Sequence, residues 1–158
     1  MERRYEIISE LQTNLEEIVD LFTSLNAEQL AATLYEEDPG WSVQQLLAHF
    51  ITIERSMQWL FKNMLAGGPG SPEDFDFKRF NRTQPRKYDG QPLDALIETF
   101  KTVRQDTIAI VAAMEDKDLD REGRHVFHGH GKLERFVVWA YEHARLHLDD
   151  VRARLKLN

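Results

Sequence analysis

A chain of 158 residues, 42% hydrophobic and 30% charged, is long enough for one buried core and short for two, which predicts a single domain over residues 1–158. Its formal net charge of −7 opposes nonspecific attraction to polyanions, so neither nucleic acid nor a membrane is an expected partner. The lack of cysteine removes disulfides, thiolate zinc sites and a protein-borne thiol nucleophile. With no signal-peptide-like or bilayer-length apolar run, a cytoplasmic location is expected.

Four segments carry helical period. In the first, Ile7, Ile8, Leu11, Leu15, Ile18, Val19 and Phe22 recur at steps of three and four with polar residues between them. A polar stretch with room for one short helical turn leads to Pro39-Gly40. The second segment opens at "GWSVQQ", where Ser42 is an N-cap and Gln45 completes a capping box. Its stripe runs from Val43 through Leu46, Phe50, Ile53, Met57 and Leu60 to Met64. Residues 67–91 form a long connection, and a stretch of that length within a domain is often functional. The third segment starts at Pro92 and continues through Leu96, Phe100, Val103 and Val111 to Met114. A polar connector, "EDKDLDREGRHVFHGHG", precedes the fourth, which holds Leu133, Phe136, Val137, Ala140, Ala144, Leu148 and Val151. No alternating pattern is long enough to predict a sheet. The expected class is all-α: a four-helix bundle with a long connection between its second and third helices.

Two imidazoles stand out on the fourth segment. His147 continues the apolar line 133, 136, 140, 144, 151, and His143 lies one turn earlier at its edge. His49 falls among Leu46, Phe50 and Ile53 on the second segment. Three inward histidines on two helices give a three-nitrogen metal site with a fourth position left for water or substrate. The competing reading is a set of satisfied core histidines, since a His-x-x-x-His pair recurs by chance in many helices. Three imidazoles suit zinc, nickel, iron or copper, and their ligating nitrogens should approach within roughly 3–3.5 Å. Other motifs fail. Ala144 follows His143, so the His-Glu-x-x-His arrangement is absent, and the only Glu-x-x-His match, Glu122 to His125, contains Gly123 in a connector.

Remaining candidates are weaker in kind. Glu54, five residues after His49, could accept an imidazole N–H, although a solvated carboxylate is the blander alternative. In "RHVFHGHG" the glycines favour a flexible, solvated connector; His128 is the ring there expected to reach the mouth of a site. In the long connection, Lys78, Arg79, Arg82, Arg86 and Lys87 alternate with Phe75, Phe77, Phe80 and Tyr88. Anchoring aromatics and solvated charges explain that pattern, with Asn81 and Arg82 as candidate substrate contacts under a lid closing one bundle end.

"GWSVQQLLAHF" followed far downstream by "YEHARLHLDDV" resembles the DinB/YfiT-like superfamily of metal-dependent bundle proteins, DNA-damage-inducible proteins distinct from the polymerase that shares the DinB name. The resemblance implies an up-down-down-up four-helix bundle, often a homodimer, with a divalent ion on three histidines at positions 49, 143 and 147. Characterised relatives include bacillithiol transferases and mycothiol-dependent maleylpyruvate isomerases. Zinc, nickel or iron and a low-molecular-weight thiol are therefore the implied cofactors. The expected function is a metal-dependent enzyme, thiol S-transferase-like or hydrolase-like, that activates water or a thiol against a small-molecule substrate. The alternative is a non-catalytic metal-binding or stress-response module. No residue is singled out as catalytic.

Overall fold

The computed structural model describes residues 2–157. The first periodic segment forms α1 (Glu2–Ser24), which buries Ile7, Leu11, Asn14, Ile18, Leu21 and Phe22. A capping box of Asn26 and Gln29 then starts the short α2 (Ala27–Ala31). The cap expected before the second segment is present. Ser42 Oγ accepts from the Gln45 N–H at 3.2 Å and the Ser42 N–H donates to Gln45 Oε1 at 2.8 Å, opening α3 (Val43–Leu65). The long connection is not structureless: Asp76 caps α4 (Phe77–Thr83), and a 3-10 turn follows at Pro85–Tyr88. Next come α5 (Leu93–Ala113) and a second 3-10 turn at Asp116–Asp120. The polar connector forms an antiparallel hairpin, β1 (Glu122–His125) with β2 (Gly129–Lys132), which leads into α6 (Leu133–Leu155).

The helix directions follow from what packs together. The ends of α1 and α6 at Phe22 and Val151 cluster with the starts of α3 and α5, at Val43 and Leu96. Ile7 and Leu133, at the opposite ends of α1 and α6, cluster with Met64 and Met114. Thus α1 and α6 run one way and α3 and α5 the other, the up-down-down-up arrangement. Since α3 and α5 are parallel neighbours, the chain must return along the bundle between them, which is why that connection is long.

Between the two apolar clusters lies a polar layer. Arg104, with no exposed surface, donates from Nε and Nη2 to the two Glu54 oxygens at 2.9 and 2.8 Å. Its Nη1 donates to the Leu11 carbonyl at 2.9 Å and to Asn14 Oδ1 at 3.0 Å. Thr107 Oγ1 donates to Glu54 Oε2 and Gln58 Nε2 donates to Thr107 Oγ1, so residues from α1, α3 and α5 are tied in one network. Satisfying the guanidinium and the carboxylate together is what makes their burial tolerable.

The hairpin fails to declare itself in sequence because it is short and glycine-rich. Its neighbour is the strand-like segment at Gly70: the Arg124 N–H donates to the Pro69 carbonyl at 2.9 Å and the Ser71 N–H to the Arg124 carbonyl at 2.8 Å. Gly70 has φ +96°, and a Cβ there would meet the Arg124 backbone at 2.5 Å, so only glycine allows this approach. The contact fixes the start of the long connection beside the hairpin.

Candidate metal centre

His49 sits in the second turn of α3, and His143 and His147 lie one turn apart on α6. Each ring offers a nitrogen within 4.8 Å of the other two. The Nε2 atoms of His143 and His147 are 3.0 Å apart, near the separation of donors sharing an ion at ~2.1 Å. The His49 ring is 2% exposed and lies 4.2 Å, centroid to centroid, from the indole of Trp41 at an interplanar angle of 30°. Both α6 imidazoles are 5.4 Å from His49 in edge-on arrangements.

Burial, and then the charges its two neighbours would carry, hold His49 well below the ordinary histidine value. Burial, followed by His147 and His125, brings His143 down to about 3. Burial also lowers His147, against a smaller opposing effect of Asp150. The three imidazoles are therefore neutral near pH 7 and keep lone pairs, as ligands must.

The tautomer of His147 follows from its partners. Tyr35 is held above the ordinary phenol range by burial and by Asp150, so it keeps its proton. That proton goes to Asp150 Oδ2 at 2.5 Å. The Tyr35 oxygen must then accept from His147 Nδ1, 2.6 Å away, which places the His147 proton on Nδ1 and the lone pair on Nε2. Asp150, Tyr35 and His147 thus form the kind of relay that orients metal-binding imidazoles. Asp150 lies one turn after His147, a signal that sequence could have given, whereas Tyr35 comes from a loop with no periodic mark. His49 Nδ1 is buried without a partner. Neutral imidazoles, a fixed tautomer and an orphaned buried nitrogen fit a divalent ion, and the group could hold one.

A cavity of about 250 Å³ borders His49 and His143. It runs about three turns along α3, from His49 past Ile53 and Met57 to Leu60, against Trp139 of α6. Ser71 to Phe77 and the hairpin tip at Val126 and Phe127 supply its outer wall. The first part of the long connection therefore covers the α3–α6 flank, and its later part, from Arg82 to Asp89, lies beside Trp41 and Gln45 at the bundle end where α3 begins.

The other candidates fall in different places. Asn81 lines the cavity, with its Oδ1 buried and unpartnered. Arg82 does not line it; its Nη1 is 3.6 Å from Asp38 Oδ2 and it borders a separate depression beside Trp41. Glu54 is 3% exposed, and Arg104 and Thr107 take its oxygens, so it is neither solvated nor bonded to an imidazole. The histidine-rich segment forms the hairpin. His125 is buried, its Nδ1 accepts the Phe127 and His128 N–H groups at 3.0 and 3.3 Å, and it lines the cavity. His128 lies parallel to Phe136 and edge-on to Trp139, and it has a buried, unpartnered Nε2. His130 Nε2 lies 3.4 Å from Glu122 Oε1 on the exposed side of the hairpin.

Fold and site together define an up-down-down-up four-helix bundle with three clustered histidines. The DinB superfamily model matches residues 10–151, and the chain belongs to that superfamily. The fold is similar to the colibactin self-resistance protein ClbS in complex with a dsDNA, at TM-score 0.72 and 16% identity over 95% of each chain. It is also similar to YfiT from Bacillus subtilis, described as a probable metal-dependent hydrolase with an unusual four-helix bundle topology. That match has TM-score 0.68 and 18% identity over 99% of this chain and 88% of YfiT. A search of curated proteins gives no significant match. The ClbS complex overturns the exclusion of nucleic acid drawn from net charge. A total of −7 is an average, and it does not describe the local run Lys78, Arg79, Arg86 and Lys87, all exposed on and after α4. Among the described residues no helix is long and apolar enough to cross a membrane.

Proposed function

We propose that His49, His143 and His147 hold a divalent ion, zinc, nickel or iron, in a metal-dependent enzyme acting on a small-molecule electrophile. When bound, such an ion supplies a Lewis acid that makes a water or a low-molecular-weight thiol nucleophilic at neutral pH. The reaction is hydrolase-like in the first case and S-transferase-like in the second. With no cysteine in the chain, any sulfur nucleophile comes from a small molecule.

The observation that carries this reading is the three-nitrogen donor set beside a cavity. Among the described residues, no fourth metal-ligating side chain joins the group, and structural zinc sites are normally closed by four protein ligands. The chain's own residues have distinct tasks. Tyr35 and Asp150 aim the His147 lone pair, Trp41 packs on His49, the connection's aromatics exclude water, and Asn81 positions substrate. Elemental analysis of untagged protein, followed by hydrolase and thiol-transfer screens with and without chelator, tests the proposal. Stoichiometric metal and chelator-sensitive turnover are expected. Metal without turnover supports a binding or stress-response module, and absence of metal from wild type while His147→Ala behaves identically refutes the centre.

A second reading is favoured by the exposed cationic run on and after α4: binding of duplex DNA by that face. A gel shift at moderate salt, with Lys78, Arg79, Arg86 and Lys87 changed together to Ser, checks it. The homodimer that the family resemblance implies belongs to the proposal as well, and light scattering measures it.

A further inference from the structure

We infer that the cavity along α3 takes an uncharged, largely apolar ligand that presents one N–H or O–H group to Asn81. This rests on the metal-centre reading only for where the ligand's reactive end would lie, beside His49 and His143.

The wall carries the argument. Among the described residues no Asp, Glu, Lys or Arg lines the cavity, although 30% of the chain is charged. Its surface is built from Ile53, Met57, Leu60, Phe75, Phe127 and Trp139. A carboxylate, phosphate or sulfonate lodged along this wall, away from the three histidines, would lose its hydration and meet no charged side chain, a penalty of several kcal/mol at least. An aromatic or alkyl group would gain by leaving water.

The polar lining is Ser56, Ser71, Asn81 and the imidazoles of His49, His125 and His143, and the Asn81 amide sets the orientation. Asn81 Oδ1 is a buried acceptor without a donor, on the segment that forms the outer wall. Buried acceptors are rarely left unpaired, and a donor supplied by the ligand would satisfy it. The volume of about 250 Å³ suits a molecule of two or three rings and excludes a peptide segment.

Two dyes sharing one skeleton separate the alternatives: N-phenyl-1-naphthylamine, uncharged with a single N–H, and its sulfonated analogue 8-anilino-1-naphthalenesulfonate. Both brighten on entering apolar sites, and Trp139 in the wall gives an independent quenching signal. In chelator-treated protein, saturable binding of the uncharged dye is expected, at least tenfold tighter than the sulfonate. Met57→Trp, which fills the cavity, should abolish it. Because that variant can fail to fold, Phe127→Asp serves beside it: Phe127 is 48% exposed at the hairpin tip, and a carboxylate there should weaken the uncharged dye several-fold. Asn81→Leu should also weaken it. The uncharged dye should bind metal-loaded and chelator-treated protein with the same affinity, so loss of the metal reading and loss of this one are distinguishable. Equal or tighter binding of the sulfonate, or undiminished binding in both Met57→Trp and Phe127→Asp, overturns the inference.

Discussion

Replacing Tyr35 by Phe tests the proposed centre through a residue that is not itself a ligand. The substitution keeps the ring against Trp41, 6.3 Å away, and against His147, 5.7 Å away, and removes only the oxygen between His147 Nδ1 and Asp150. Two consequences differ in size. Without metal, Asp150 is exposed and re-hydrates, while His147 Nδ1 loses one neutral hydrogen bond, so stability falls by ~0.5–1.5 kcal/mol. With metal, the His147 ring has lost the contact that fixes its tautomer and aim. Removing such an outer partner typically costs 10–100-fold in metal affinity, equivalent to ~1.4–2.7 kcal/mol.

Competition against a chromophoric chelator measures the affinity, and melting in excess chelator measures the metal-free part. Asp150→Asn separates charge from geometry, since the amide oxygen still accepts the phenol proton; its loss of affinity should be the smaller. A Tyr35→Phe affinity within twofold of wild type would refute the relay. So would a stability loss that is the same with metal and without it.

Other outcomes follow from the same contacts. Arg104→Met should cost ~3–5 kcal/mol because it leaves the Glu54 carboxylate buried with Thr107 alone, lowering Tm by roughly 6–20 °C in a chain of this size. Arg104→Met with Glu54→Leu should recover much of that in denaturant titration. In metal-free protein, stability should be full above about pH 6.5 and fall below it, because the unfolded chain then binds protons that buried His49 and His143 refuse. The slope, read from urea midpoints against pH, is up to ~1.4 kcal/mol per histidine per pH unit, persisting toward the lowered folded values. Added zinc or nickel at a hundredfold excess over its dissociation constant should stabilise wild type by ~2.7 kcal/mol and His147→Ala by nothing measurable in the same titration.

The long helices were legible because their apolar positions recur at helical spacing and Ser42 and Gln45 announce the start of α3. The three histidines were legible for the same reason: a polar residue where the stripe calls for an apolar one is a visible exception. Glu54 shows the limit of that logic. Its position on the α3 wheel is compatible with an imidazole partner, but Arg104 comes from α5 and reaches it first. Nothing in the spacing of one helix reports a cation arriving from another. The hairpin and α4 escaped for a local reason, since each is short and holds its place through contacts with distant segments, such as Gly70 with Arg124.

Two scales of patterning therefore meet at one place. Periodicity along α3 and α6 brings the imidazoles to a common face, and this part of the arrangement survives any change in the loops. The cavity is different: its outer wall is made by Ser71 to Phe77, Asn81 and the hairpin tip, which are held by the pairing of Gly70 with Arg124. A side chain at Gly70 would collide with that backbone and strain a positive φ, so Gly70→Ala should shift the wall and leave the histidines in place. Metal content should then persist while binding of N-phenyl-1-naphthylamine weakens. Loss of both together would mean that the wall and the histidine group are one cooperative unit, and unchanged dye binding would mean that the Gly70 contact does not form the wall.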